Sequence, residues 1–99
     1  MKKSFAFLLM GEHYDPSQHC AKFETEKQTT YIYTVKNIKE AYAKIDDLAA
    51  NGVGAIELCG AFGEETAHKI IEMTNGKIAI GFVTHFPQQD AVFAEFFQK

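Results

Sequence analysis

The chain has 99 residues, which is one domain's worth, since domain sizes cluster near ~100–150 residues. Hydrophobic residues make up 46% and charged residues 23%, a globular composition that excludes an intrinsically disordered chain. The net charge is −3 and all ten basic residues are Lys, so the sequence lacks the basic, Arg-bearing footprint of a nucleic-acid binder or of a protein held on an anionic membrane.

The opening MKKSFAFLLMGEHYD has a charged start and an apolar run over 5–10. That run is shorter than the ~7–15 residues of a secretory core, and Glu12, His13 and Asp15 follow at once. No apolar stretch approaches the ~20 residues of a membrane span. These features predict a buried strand over 4–10 and a cytoplasmic protein, with Cys20 and Cys59 as free thiols.

Residues 11–28 are polar and contain Pro16. A connection this long in a small domain is usually functional or mobile, so it is read as a loop and a candidate lid. Ser17 is placed to cap a short helical turn. Residues 29–35, TTYIYTV, are β-branched and aromatic, and their half-polar pattern suggests an edge strand. Asn37 and Glu40 form a capping box for a helix. Its apolar stripe is Ile38, Ala41, Tyr42, Ile45, Leu48 and Ala49, and Asn51-Gly52 stops it.

Residues 53–59 read as the next strand, followed by the loop GAFG and a helix from Glu64 that buries Ala67, Ile70 and Ile71. Residues 77–84 read as a further strand. Pro87 suits the first position of a third helix, which carries Val92, Phe93, Phe96 and Phe97. The order β-loop-β-α-β-α-β-α predicts one α/β domain over residues 1–99. It would have a four-stranded, mainly parallel sheet and three helices. The expected strand order is second, first, third, fourth.

Ligands of open α/β sheets bind outside the carboxyl ends of the parallel strands. At those ends stand His13 and Tyr14, then Glu57, Cys59, Gly60 and Gly63, and then His85. The sequence predicts that Glu57, Cys59, His85 and His13 surround one pocket, with Tyr14 and Asp15 closing over it. Glu57 and His85 are the candidate acid–base groups. Cys59 is a candidate nucleophile if an imidazole reaches it, and otherwise a small apolar residue. Glu57 stands out because parallel strands are usually covered on both faces, where a carboxylate is costly unless partnered. Its alternative reading is a carboxylate that reaches water.

GAFG before a helix suggests an anion cradle, but Glu64 and Glu65 occupy the first turn and no Lys lies near, which favours a plain turn. The spacing His13-x5-His19-Cys20 matches no structural zinc pattern, and histidines lining a polar pocket are preferred to a metal site. His68 is expected on a solvated helix face. No motif names a cofactor.

The segment GVGAIELCGAFGEE, with FAFLLMGEHYDP and GFVTHFPQQD, resembles a family of roughly hundred-residue prokaryotic proteins known as a domain of unknown function. The resemblance spans nearly the whole chain. It implies a stand-alone domain, and it carries no activity or catalytic residue over to this sequence.

Two function classes follow. One is a small-molecule binding protein or small enzyme using the strand-end cluster. The other is an assembly or regulatory module in which those polar residues are structural. The terminal helix, with Tyr31, Tyr33 and Phe86, offers more apolar surface than a thin domain hides, so a homo-oligomer through the C-terminal helix is expected.

Overall fold

The computed structural model describes residues 2–98. Strands β1 (Lys3–Met10), β2 (Ala21–Glu24), β3 (Gln28–Val35), β4 (Ala55–Leu58) and β5 (Ala79–Phe82) form one sheet in the order β2-β3-β1-β4-β5. β3, β1, β4 and β5 are parallel, and β2 pairs antiparallel with β3. Helices α1 (Ile38–Ala50), α2 (Gly63–Met73) and α3 (Asp90–Phe97) follow β3, β4 and β5, with the 3-10 turn Pro87–Gln89 leading into α3.

The parallel order is the expected one, but the sheet has five strands rather than four. The additional strand, β2, lies within the segment read as a loop. Its sequence AKFE is too short and too charged to declare itself; pairing with β3 makes it a strand. Thr25 builds the hairpin: its hydroxyl oxygen accepts from the Lys27 and Gln28 amides at 3.2 and 3.0 Å. β2 therefore holds the sheet edge, and β3, expected there, is interior. Glu24 pairs with Lys22 at 3.0 Å and Lys2 at 3.3 Å, giving β2 the charges that discourage edge-to-edge aggregation.

One face of the sheet carries the core. Ala6 and Leu8 of β1 and Ile56 and Leu58 of β4 are buried with Ala41, Ile45 and Leu48 of α1 and Ala67 and Ile70 of α2. The α1 stripe forms as its spacing predicts from Ile38 to Leu48, while Ala49, at the helix end, is exposed. Asn37 Oδ1 accepts from the Glu40 amide at 2.9 Å, and Glu40 Oε1 accepts from the Lys36 amide at 2.7 Å, one residue before the usual capping-box partner. Gly52, at φ +81°, makes the left-handed exit.

Among the described residues, no helix packs a core on the opposite face. Phe5, Phe7 and Leu9 of β1, Ile32 of β3, and Ala55 and Glu57 of β4 are half-buried. Coverage on both faces was the premise that made Glu57 costly; with one face open, its carboxylate is partly solvated.

Candidate functional site

β1, β4 and β5 end at the same edge of the sheet, at Met10, Leu58 and Phe82. There a cavity of about 1020 Å³ lies between the strand ends, the turn that opens α2, and α3. Leu9, Met10, Phe82, Val83, Phe93 and Phe97 give it an apolar lining. His13, Tyr14, Cys59, Thr84, His85 and Asp90 add the polar groups.

Each polar group is placed by local structure. After β1 the chain turns at Gly11, where a Cβ would sit 2.9 Å from the His13 ring and 3.1 Å from Tyr14, so glycine leaves room for both. The rings of His13 and Tyr14 pack at 4.3 Å. After β4, the Cys59 amide continues the ladder onto Leu8 at 3.0 Å. Cys59 Sγ accepts from the Met10 amide at 3.3 Å, which ties β4's end to β1's. After β5, His85 stacks on Phe93 with centroids 4.0 Å apart and planes 8° from parallel. Its Nε2 lies 2.8 Å from Asp90 Oδ1.

The cavity walls include six of the sequence-selected residues: His13, Tyr14, Cys59, Gly60, Gly63 and His85. Glu57 is not among them. It sits mid-strand on the open face, opposite Phe7 and Gly81, with its carboxylate lying over Gly81 where a Cβ would collide with it. One shared pocket for Glu57 and His85 is therefore not what the fold builds, because β4 continues past Glu57 before it reaches the cavity. The condition for Cys59 as a nucleophile is not met: among the described residues no imidazole hydrogen-bonds its sulfur, and Nε2 of His85 is directed to Asp90.

Asp15 does not close over the cavity either. Its carbonyl accepts from the Gln18 and His19 amides, and its carboxylate accepts from the Ser17 amide and hydroxyl at 3.0 and 2.8 Å. Asp15, rather than Ser17, is thus the cap of this turn. The Ser17 hydrogen bonds hold its carboxyl below the ordinary carboxylate range. Of the segment 11–28, His13 and Tyr14 reach the cavity, while β2 lies at the far edge of the sheet.

Sequence reasoning missed Asp90 and the cavity-facing stripe of α3. Asp90, Phe93, Ala94 and Phe97 fall at i, i+3, i+4 and i+7 and line the cavity together. The available signal was His85 and Asp90 on either side of Pro87, a spacing that one tight turn closes.

The lining is electrostatically one-sided. Glu64 and Asp90 are its carboxylates, and among the described residues no Lys belongs to it. The GAFG loop folds as a turn, with the Phe62 amide donating to the Cys59 carbonyl at 3.1 Å and Gly63 at φ +76°. Glu64 and Glu65 stand in the first turn of α2, which argues against an anion at that helix end. Both cysteines are free thiols, Cys20 exposed and Cys59 half-buried. Among the described residues no three His, Cys, Asp or Glu side chains converge as a metal-binding group, and no helix is long and apolar enough to cross a membrane.

No curated protein and no solved structure matches the chain. A family model matches residues 3–98, nearly the full length, and the chain belongs to the family of unknown function DUF6506.

Proposed function

We propose that the protein binds a small, neutral, largely apolar molecule in the strand-end cavity, with the His85–Asp90 pair as the polar anchor. The observation that carries this reading is the cavity itself. At about 1020 Å³ it is at the upper end of the ~300–1,000 Å³ typical of small-molecule sites, and its mostly apolar lining converges on a few polar groups. Its position outside the carboxyl ends of parallel strands is where α/β sheets bind ligands.

The lining also selects the ligand's chemistry. With Glu64 and Asp90 present and no Lys among the described lining residues, a phosphate or polycarboxylate would meet like charge. A ligand with an aromatic or aliphatic body would pack on Phe82, Phe93 and Phe97. A hydroxyl or amide N–H on that body would donate to the other ring nitrogen of His85, Nδ1, while Asp90 holds Nε2. If chemistry accompanies binding, His85 is the acid–base group, held in orientation by Asp90 and by the Phe93 ring. The free thiols fit a cytoplasmic setting.

A library of neutral aromatic and aliphatic fragments, read by thermal shift, tests the proposal. Hits should raise the Tm of the wild-type protein and fail to raise that of Ala94→Trp, which fills the cavity from α3. Hits that stabilise both proteins equally, or a library without hits, would contradict it.

A further inference from the structure

α3 is an apolar helix that its own chain does not bury. Val92, Phe93, Phe96 and Phe97 are four of its eight residues, and not one of the eight, all described, is buried. A helix this short is marginal without packing. Asp90, Phe93, Ala94 and Phe97 face the cavity. Val92 and Phe96, one turn apart, lie off that stripe and are 59% and 79% exposed. Apolar residues on two sides of a helix mean that both sides are covered in the working protein.

The same chain presents a sheet face on which, among the described residues, no helix packs. Strand register puts Phe5 beside Thr30, Phe7 beside Ile32, and Phe23 opposite Thr30, so Phe5, Phe7, Phe23 and Ile32 share that face. Phe23 is 57% exposed. An apolar helix without a sheet and an apolar sheet face without a helix are the two halves of one layered packing.

The surface area argues for a second copy. The chain exposes 7081 Å², about 1,400 Å² more than the ~5,700 Å² expected of a folded monomer of its mass. A standard interface removes ~800 Å² from each partner, so the excess is more than a dimer of standard size needs. The radius of gyration, 14.1 Å, likewise exceeds the ~13 Å of a compact domain this long.

We propose that the protein is a two-fold symmetric dimer in which the Val92–Phe96 side of α3 packs on the Phe5, Phe7, Ile32 and Phe23 face of the second copy, and reciprocally. The contact is self-complementary, as a closed two-fold interface requires. It also bears on the cavity, because α3 is one of its walls. The partner's sheet presses that wall from outside while the cavity stays on its inner side. Glu57, further along the open face on β4, lies beside this patch rather than within it.

Sedimentation equilibrium at micromolar concentration tests the proposal without any ligand. The wild-type protein should sediment at twice the 11.1 kDa of one chain. Phe96→Asp and Phe23→Asp each place a charge in the contact, one on the helix and one on the sheet. Each should give the single-chain mass with an unchanged far-UV circular dichroism spectrum. A wild-type protein at the single-chain mass would overturn the proposal whatever the variants do, and would mean that α3 folds back on its own sheet or meets a different protein. A dimer that survives either substitution would overturn it as well.

Discussion

The imidazole Nε2 of His85 lies 2.8 Å from Asp90 Oδ1, across the turn that Pro87 opens. The two stand five positions apart, and the 3-10 turn between them brings the start of α3 back toward the end of β5. The ring is held on its flat side by Phe93. Position, orientation and hydrogen-bond partner of the His85 imidazole are thus fixed by a single short segment.

Asp90→Ala releases that ring. The substituted carboxylate is exposed, so stability should change by less than about 1 kcal/mol, as for other exposed polar pairs. The His85 ring-proton resonances, shifted by the stacked Phe93, should move toward their free positions. Affinity for a cavity ligand should fall about tenfold, or ~1.4 kcal/mol. Unchanged ring resonances would show that Asp90 does not orient His85.

Glu57 and Gly81 are coupled across β4 and β5, because the Glu57 carboxylate occupies the space a Cβ at position 81 would need. The carboxylate is the flexible end of its side chain and can swing away, so Gly81→Ala should cost no more than about 1 kcal/mol. Gly81→Val should cost more in the wild-type background than beside Glu57→Ala. The expected coupling in denaturant titrations is about 1 kcal/mol. Additive effects would contradict the packing of Glu57 over Gly81.

Much of the architecture is legible because it is built from repeating patterns. SFAFLLM declares β1, the Ile38–Leu48 stripe declares α1, and the alternation of strands with amphipathic helices declares a parallel sheet. β2 is silent in the sequence since AKFE becomes a strand only through its partner. The open sheet face is silent too: Phe5, Phe7 and Leu9 read as the second buried face of a fully covered strand, and the run looks the same whether a helix covers that face or not. The same ambiguity misplaced Glu57. Strand ends, by contrast, are fixed by topology, which is why His13, Cys59 and His85 could be grouped before any coordinates. Asp90 escaped because a carboxylate in a first helical turn already has an ordinary role with the helix dipole.

The two thiols should report on the cavity independently. Cys20 is exposed, and Cys59 faces the cavity with its sulfur bonded by the Met10 amide. Iodoacetamide should label Cys20 first. A bound ligand should slow labelling of Cys59 and leave Cys20 unaffected, as read by peptide mass spectrometry. Equal protection of both, or of neither at saturating ligand, would separate Cys59 from the ligand's position.

Tyr33 supplies the pH dependence. Burial, with the neighbouring Tyr31 and Asp47, raises its phenol above the ordinary value of 10.0, and Lys44 Nζ stands 3.8 Å from the ring centroid. The raised value favours the neutral phenol in the folded protein. The associated stability is fully present below pH ~10 and is lost as pH rises through the folded value. Alkaline absorbance titration should show one tyrosine ionising late, and Tyr33→Phe should remove that late phase. Ionisation of Tyr33 at or below the ordinary value would contradict its burial against α1.

The cavity as a small-molecule site is tested most directly by amide correlation spectra of the ¹⁵N-labelled protein with a fragment that raises its Tm. Shifts should concentrate at Met10, Cys59, Val83, His85 and Phe93, on the strand ends and α3 that line this space. The same fragment should leave the spectrum of Ala94→Trp unmoved. Shifts concentrated instead on Phe5, Phe7, Phe23 and Ile32, or persisting in Ala94→Trp, would contradict it.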